Sequence, residues 1–235
     1  MSSRKKRDYK HVLQSIVDLA DTVAVERVTV DYEHAIWRTI PKVFPTVTIH
    51  GCGFHWAQAV WRQVQAHGLQ VAYRQDCGTH RFIRKLLALP YLPCEDVTTA
   101  FDELISSTAL TPNLITLVAY IRNQWITSTI FPPPSWSVYK GNVRTNNDVE
   151  GWHNRLNSHA GKSQLPFYVL TTLLKEEAED IDMTLKLVSD RKIKRIQSKS
   201  YRTLQGRLHN CWDRYANGDL SPMQLLAECS YFVPF

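Results

Sequence analysis

The sequence predicts an α/β protein that is mostly helical, with two short strands and a helical C-terminal region. Apolar residues recur at intervals of three and four over most of the 235-residue chain, as they do on helices that bury one face. Two runs rich in β-branched residues, RVTV and TVTIH, interrupt this pattern near the N-terminus. With 44% hydrophobic and 21% charged residues, the chain has enough apolar material for a packed core, which argues against a disordered tail.

The first fifty residues predict a helix, a strand, a broken helix and a second strand. A helical pattern with one buried face begins at Tyr9. RVTV at 27–30 is the first predicted strand, and Asp31 follows it directly. The next helical pattern contains Pro41, which should kink or split it because proline lacks the backbone N–H that a helix interior needs. TVTIH at 46–50 is the second predicted strand.

A block of helices is predicted after the second strand. Its clearest member runs from Phe54 to His67 and is closed by Gly68. Three prolines at 132–134 end the block, because their rings prevent a helix from continuing. The other predicted helices lie near 79–89, 95–107, 111–130, 148–160 and 167–188, with a basic helix at 191–207.

The hydropathy of the sequence predicts no membrane-spanning helix. The longest apolar run, Leu114 to Ile121, is far shorter than the ~20 residues that a spanning helix needs. No apolar stretch follows the basic N-terminus to form a secretory signal, so we expect an intracellular protein. Five scattered cysteines are an odd number, which favours reduced thiols over a disulfide framework and leaves one or two as potential metal ligands.

The chain has a formal net charge of +6, and its basic residues cluster at 191–207 without any acid among them. Such a segment is either a solvated helix face or a surface that contacts DNA phosphates. RKKR at 4–7 and KIKR at 192–195 are short basic clusters of the kind that act in nuclear import, but neither decides between these two interpretations. We expect a nuclear location. The candidate DNA-binding residues are Lys192, Lys194, Arg195, Lys199 and Arg202.

Three short motifs carry residues with potential chemistry: VDYEHA at 30–35, CGFH at 52–55 and TNNDVEGWHNRLN at 145–157. On a helix, the third motif places Glu150 and His153 on one side with three asparagines, and the apolar residues on another side. That polar side suits a metal or phosphate site. The alternative is an ordinary amphipathic helix with Glu150 in its first turn, where the helix dipole favours negative charge.

The first two motifs also have two interpretations each. Asp31 either caps the helix that follows it or marks a ligand site, because open α/β sheets bind ligands at the carboxyl ends of their strands. Cys52 and His55 could supply two of the four ligands of a zinc ion. Since no second pair of matching spacing exists, a buried thiol and a locally hydrogen-bonded histidine are favoured over a closed zinc site.

The order of these motifs resembles the Mutator-like (MULE) family of DDE transposases from about residue 4 to residue 157. In that family the second catalytic Asp lies in a D-x-E-x-A context, a C-x-x-H motif follows the next strand, and the catalytic Glu lies in an N-N-x-x-E-x-x-H context. By position, Asp31 matches the second acid, and Cys52 with His55 match the C-x-x-H pair. Glu150 and His153 match the last motif.

The resemblance implies a partial RNase H-like fold that retains two parallel strands. It implies Asp31 and Glu150 as catalytic acids and ligands of Mg²⁺ or Mn²⁺, His153 as a catalytic-site residue, and Cys52 with His55 as a structural brace. Residues 1–161 would form this domain, with a helical insertion at about 69–140, and residues 162–235 would form a helical C-terminal region. The implied reaction is metal-dependent DNA cleavage and strand transfer, with DNA as the partner.

The family's first catalytic Asp and its first three strands would precede residue 1, so we expect an N-terminally truncated domain with negligible cleavage activity on its own. The sheet edge of the isolated chain should be exposed, so we expect a partner or a second copy to cover it. The alternative function is a non-catalytic remnant that binds DNA or protein through the basic C-terminal helix. A purely helical interaction module would explain the composition but not the three ordered motifs.

Overall fold

The computed structural model describes residues 5–20, 24–141, 147–161, 165–189 and 199–233, which are mostly helical and include one small parallel sheet. Strand β1 (Arg27–Val30) pairs with β2 (Thr48–Gly51) in parallel, with Arg27 opposite Thr48 and Val30 opposite Gly51. Both predicted strands and their parallel arrangement are therefore confirmed. The RNase H-like assignment stays a prediction.

A helix precedes β1, and two short helices connect β1 to β2. Helix α1 spans Lys6–Leu19, α2 spans His34–Trp37 and α3 spans Ile40–Val43. The predicted break at Pro41 is confirmed: this proline lies in the first turn of α3, where the missing N–H costs no hydrogen bond.

The predicted buried face of α1 is only half covered. The helix packs against α2 and α3, and Tyr9, Leu13 and Val17 are half-buried, but none of its residues is fully buried. Ile16 is 53% exposed and Leu19 is 86% exposed. Periodicity predicted the helix correctly but overestimated how much of its apolar stripe the described residues cover.

The helical block begins with α4 (Gly53–Ala66). Gly68, which closes this helix as predicted, has a positive φ of 67°. Its remaining helices are α5 (Gln70–Gln75), α6 (Cys77–Leu87), α7 (Cys94–Ser106) and α8 (Pro112–Ile121). The predicted helix over 111–130 is shorter in the structure, because α8 gives way to a π-helical turn at Arg122–Ile126. The six-residue α5 is too short for periodicity to predict.

Four further helices complete the described chain: α9 (Asn147–Ala160), α10 (Phe167–Ser189), α11 (Lys199–Ala216) and α12 (Pro222–Cys229). The first two match the predicted helices closely, and Gly161 ends α9 with a φ of 66°. The predicted basic helix at 191–207 is described only from Lys199 onward, and α12 was not predicted. No helix in these ranges combines the length and apolar content needed to cross a bilayer.

The chain divides into two compact units. The first unit comprises Met1–Thr145 together with Leu204–Phe235, and the second comprises Asn146–Thr203. The core of the first unit combines the helical block with the segment after it and with α11 and α12. Its completely enclosed aromatic side chains include Trp56, Phe101, Trp136 and Trp212. These units group the chain differently from the domain division predicted at residue 161, which stays a prediction.

Candidate functional site

An open cleft of about 710 Å³ lies in the first unit where β1 ends. Its floor is the segment after β1, one wall is a face of α4, and the other wall is the end of α8 with the π-helical turn. The lining residues are Asp31, Tyr32 and Glu33 on the floor, His55, Gln58, Ala59 and Arg62 on α4, and Tyr120, Gln124 and Trp125 opposite.

Asp31 and His55, which belong to two different sequence motifs, meet in this cleft. The Nδ1 atom of His55 lies 2.9 Å from Oδ1 of Asp31, an ion-pair distance when the imidazole is protonated, although the approach lacks hydrogen-bond geometry. The Asp31 side chain is 52% exposed, so its carboxylate faces the open cleft. The backbone after β1 is fixed by two bonds to the Asp31 carbonyl, one from Trp37 Nε1 at 2.7 Å and one from Glu33 N at 2.9 Å.

This geometry rejects one of the two interpretations of Asp31. The residue before α2 is Glu33, and no side-chain hydrogen bond caps that helix. Asp31 is therefore not the helix cap that the sequence left open. The Glu33 carboxylate accepts a hydrogen bond from the Tyr9 hydroxyl at 2.8 Å, which ties the cleft floor to α1.

Tyr32 separates the cleft from the aromatic core. Its ring meets Trp125 edge-on at 4.6 Å and Phe131 at 5.4 Å between centroids, and it lies nearly parallel to Trp37 at 6.0 Å. Burial raises the pKa of Tyr32 well above its ordinary value, and the nearby Cys52 thiol and Asp31 carboxylate raise it further. The phenol is therefore protonated at physiological pH. Sequence patterns gave no sign of this residue's role.

Cys52 immediately precedes α4 and is completely buried. Its backbone N–H donates to the Val30 carbonyl at 3.0 Å, which joins the start of α4 to the end of β1. This arrangement positions His55 in the first turn of α4 and gives Cys52 a structural position in the core. Among the described residues, no three His, Cys, Asp or Glu side chains converge as metal ligands.

The π-helical turn forms the wall opposite α4. The Thr127 N–H donates to the Arg122 carbonyl at 2.9 Å, five residues back, and Arg122 Nη2 donates to Asp102 Oδ1 on α7 at 2.7 Å. The first bond closes the turn, the second ties its start to α7, and Gln124 and Trp125 of the turn line the cleft. Turns of this kind occur often at functional sites. The continuous apolar pattern of 111–130 concealed it in the sequence.

Helix α9, which carries the predicted Glu150 and His153, belongs to the second unit and packs against α10. One buried carboxylate on α10, that of Glu177, joins the two helices. It accepts hydrogen bonds from Trp152 Nε1 at 3.0 Å and from Arg155 Nη2, and it lies 3.2 Å from His159 Nδ1. The Arg155 hydrogen bond is the main reason why the pKa of Glu177 is lowered.

The Glu177 contacts determine which face of α9 is turned away from α10. His153 and the two asparagines that follow on its side, Asn154 and Asn157, are exposed, whereas Trp152 is half-buried. The predicted division of this helix into a polar and an apolar stripe is thus found for these residues. The side chain of Glu150 lies outside the described residues, and Asp31 and Glu150 belong to different units.

The candidate DNA-binding residues also lie outside the described part of the chain. Lys192, Lys194 and Arg195 fall in the undescribed range 190–198, and the side chains of Lys199 and Arg202 are outside the described residues. Their contribution stays a prediction. No protein-family model, curated protein or solved structure matches the chain.

Proposed function

We propose that this protein is a DNA-binding protein derived from a MULE-type transposase, whose ancestral role was metal-dependent DNA cleavage and strand transfer in the nucleus. The observation that carries the proposal is the meeting of Asp31 and His55 at 2.9 Å in an open cleft. These residues belong to two separate motifs of the family resemblance, and they are 24 positions apart in the sequence.

The location of Asp31 supports the same proposal. It follows directly after a parallel strand, and the carboxyl ends of parallel strands are where α/β sheets bind their ligands. Its side chain is 52% exposed in a cleft of about 710 Å³, so the carboxylate is accessible to a substrate strand.

The described residues alone do not fit the divalent metal that the family would require. Mg²⁺ takes oxygen ligands in octahedral geometry, and the cleft supplies the Asp31 carboxylate, an adjacent imidazole and a Glu33 carboxylate already bonded to Tyr9. We therefore expect weak metal binding and negligible strand cleavage by this chain alone, with DNA binding as the remaining activity.

The test compares Asp31→Asn with Asp219→Asn, which removes the same charge at an exposed position outside the cleft. Binding is measured by fluorescence anisotropy with a labelled DNA duplex, and cleavage is measured as plasmid nicking in Mg²⁺ or Mn²⁺. We expect neither variant to lose more than about twofold in DNA affinity, since neither residue is a cationic phosphate contact. Any nicking by the natural protein should disappear in Asp31→Asn and persist in Asp219→Asn.

Two results would overturn the proposal. Nicking that survives Asp31→Asn would show that this carboxylate is not part of the cleavage site. A natural protein that fails to bind DNA at low ionic strength would remove DNA binding as its function. Neutralising Lys192, Lys194 and Arg195 together should weaken binding and reduce its dependence on salt.

A further inference from the structure

The face of α4 that lines the cleft is a stripe of four residues, with the Asp31 carboxylate beside one end and a guanidinium at the other. His55, Gln58, Ala59 and Arg62 are spaced at three, four and seven residues, so they lie above one another on one side of the helix. At 1.5 Å per residue, Arg62 lies about 10 Å along the helix from His55. The stripe therefore begins beside the Asp31 carboxylate and ends at a guanidinium.

Arg62 is held in the cleft without an acidic partner among the described residues. Arg62 is exposed to solvent, and its Nη2 atom donates to Oε1 of Gln58, one turn earlier on the stripe, at 2.8 Å. Because Oε1 of Gln58 accepts this bond, and no described residue accepts from its amide group, the amide hydrogens face the cleft as potential donors to a ligand. A guanidinium with unused donors in an open cleft is suited to a phosphate or carboxylate oxygen.

The opposite wall supplies neutral polar groups rather than further acids. Gln124 comes from the π-helical turn, and Tyr120 comes from the last turn of α8. Burial is the main reason why the pKa of Tyr120 is raised, so its hydroxyl is protonated at physiological pH. The acidic residues of the cleft, Asp31 and Glu33, lie on its floor near the other end of the α4 stripe.

We propose that Arg62 is a phosphate contact that positions a DNA strand along α4, so that the strand runs past Asp31. This inference rests on the proposed function and identifies the residue that holds the DNA backbone in the cleft. The distance of about 10 Å from His55 to Arg62 corresponds to the axial rise of about three nucleotides of a B-form strand whose axis runs along α4, at about 3.4 Å of rise per nucleotide. Arg62 therefore contacts a phosphate outside the one beside Asp31, and it is a positioning residue rather than a catalytic one.

The experiment compares Arg62→Gln with Arg74→Gln, which removes one positive charge from an exposed position on α5 outside the cleft. Binding of a labelled 20-base-pair duplex is measured by anisotropy over a series of salt concentrations. Arg62→Gln should weaken binding about tenfold at about 0.1 M salt and reduce the slope of log K against log salt by about one. Arg74→Gln should bind like the natural protein.

Arg62→Lys is the second variant, because it keeps the charge and should preserve the salt slope. Thermal melts of all three variants establish that each is folded. Equal affinity of Arg62→Gln and Arg74→Gln, while the natural protein binds DNA, would overturn the role of Arg62 and leave the proposed function intact. A natural protein without DNA affinity would instead overturn the proposed function, and this inference with it.

Discussion

Gly51 lets the Tyr32 ring lie directly over the end of β2. A Cβ atom added at Gly51 would lie 2.3 Å from Cε1 and Cζ of Tyr32 and 2.4 Å from its hydroxyl oxygen. Ordinary contacts of such an atom begin near 3.4 Å, so the ring would have to withdraw by about 1 Å. Trp125 and Phe131 enclose that ring, so it has little room to move. We expect Gly51→Ala to cost about 2 kcal/mol of folding free energy.

The assay is urea denaturation followed by tryptophan fluorescence, because every tryptophan except Trp152 lies in the first unit. In a separate thermal melt, a cost of about 2 kcal/mol should lower Tm by about 4 to 8 °C for a protein of this size. Gly206→Ala is the matched control: this glycine lies in α11 with nothing within 4 Å of an added Cβ. It should stabilise the protein by about 0.5 to 1 kcal/mol, because alanine favours the helix.

A double-mutant cycle tests the cause of the loss. In a Tyr32→Ala background the clash is absent, so adding Gly51→Ala should cost almost nothing, and the two changes should be coupled by about 2 kcal/mol. The reasoning fails if Gly51→Ala is as stable as the natural protein. It also fails if the cost is the same with and without the Tyr32 ring.

Two further predictions concern groups with shifted pKa values. The Arg155 hydrogen bond lowers the pKa of Glu177 below 4.5, so its carboxylate stabilises the second unit above that pH and loses this effect as the pH falls through the lowered pKa. Glu177→Gln should flatten this acid dependence in the NMR signal of the Trp152 indole, whereas Glu179→Gln, at an exposed position, should keep it. Burial and the Glu228 carboxylate raise the pKa of Cys211 to about 11, which leaves roughly one thiol in a thousand ionised at pH 8. Iodoacetamide at pH 8 should therefore modify the exposed Cys77 in the native protein and spare Cys211, and equal labelling in peptide mass spectra would contradict this.

Local sequence signals predicted the elements that position the site. Consecutive β-branched residues gave both strands, and the proline at 41 gave the break between α2 and α3. The three-and-four spacing gave α4, together with the glycine that ends it. Each of these features depends on neighbours within a few residues, which is why a single sequence was enough to predict them. The resemblance also singled out Asp31 and His55, which the fold brings together.

The features that the sequence did not reveal depend on contacts between distant residues. Glu177 lies in an acidic stretch that suggests a solvated helix, and only the packing of α9 against α10 encloses it. Trp212 Nε1 donates to the Tyr91 carbonyl at 2.9 Å across 121 positions, and Arg84 Nε donates to the Ser230 carbonyl at 2.8 Å across 146. No periodicity within one segment reports such pairs, so the return of the C-terminal helices to the first unit could not be predicted.

Burial within the first unit is uneven, and this unevenness bears on how the cleft works. The helical block encloses several aromatic side chains completely, whereas the residues of β1 are at most half-buried and Leu19 of α1 is largely exposed. Parallel strands are normally covered on both faces, and in the described residues β1 pairs with β2 alone. Val60 and Val64 on the α4 wall are completely buried, whereas β1, which leads into the floor with Asp31, has no fully buried residue. The predicted partner or second copy at the sheet edge would cover β1 and would add to the bonds that already hold the Asp31 backbone beside the α4 stripe.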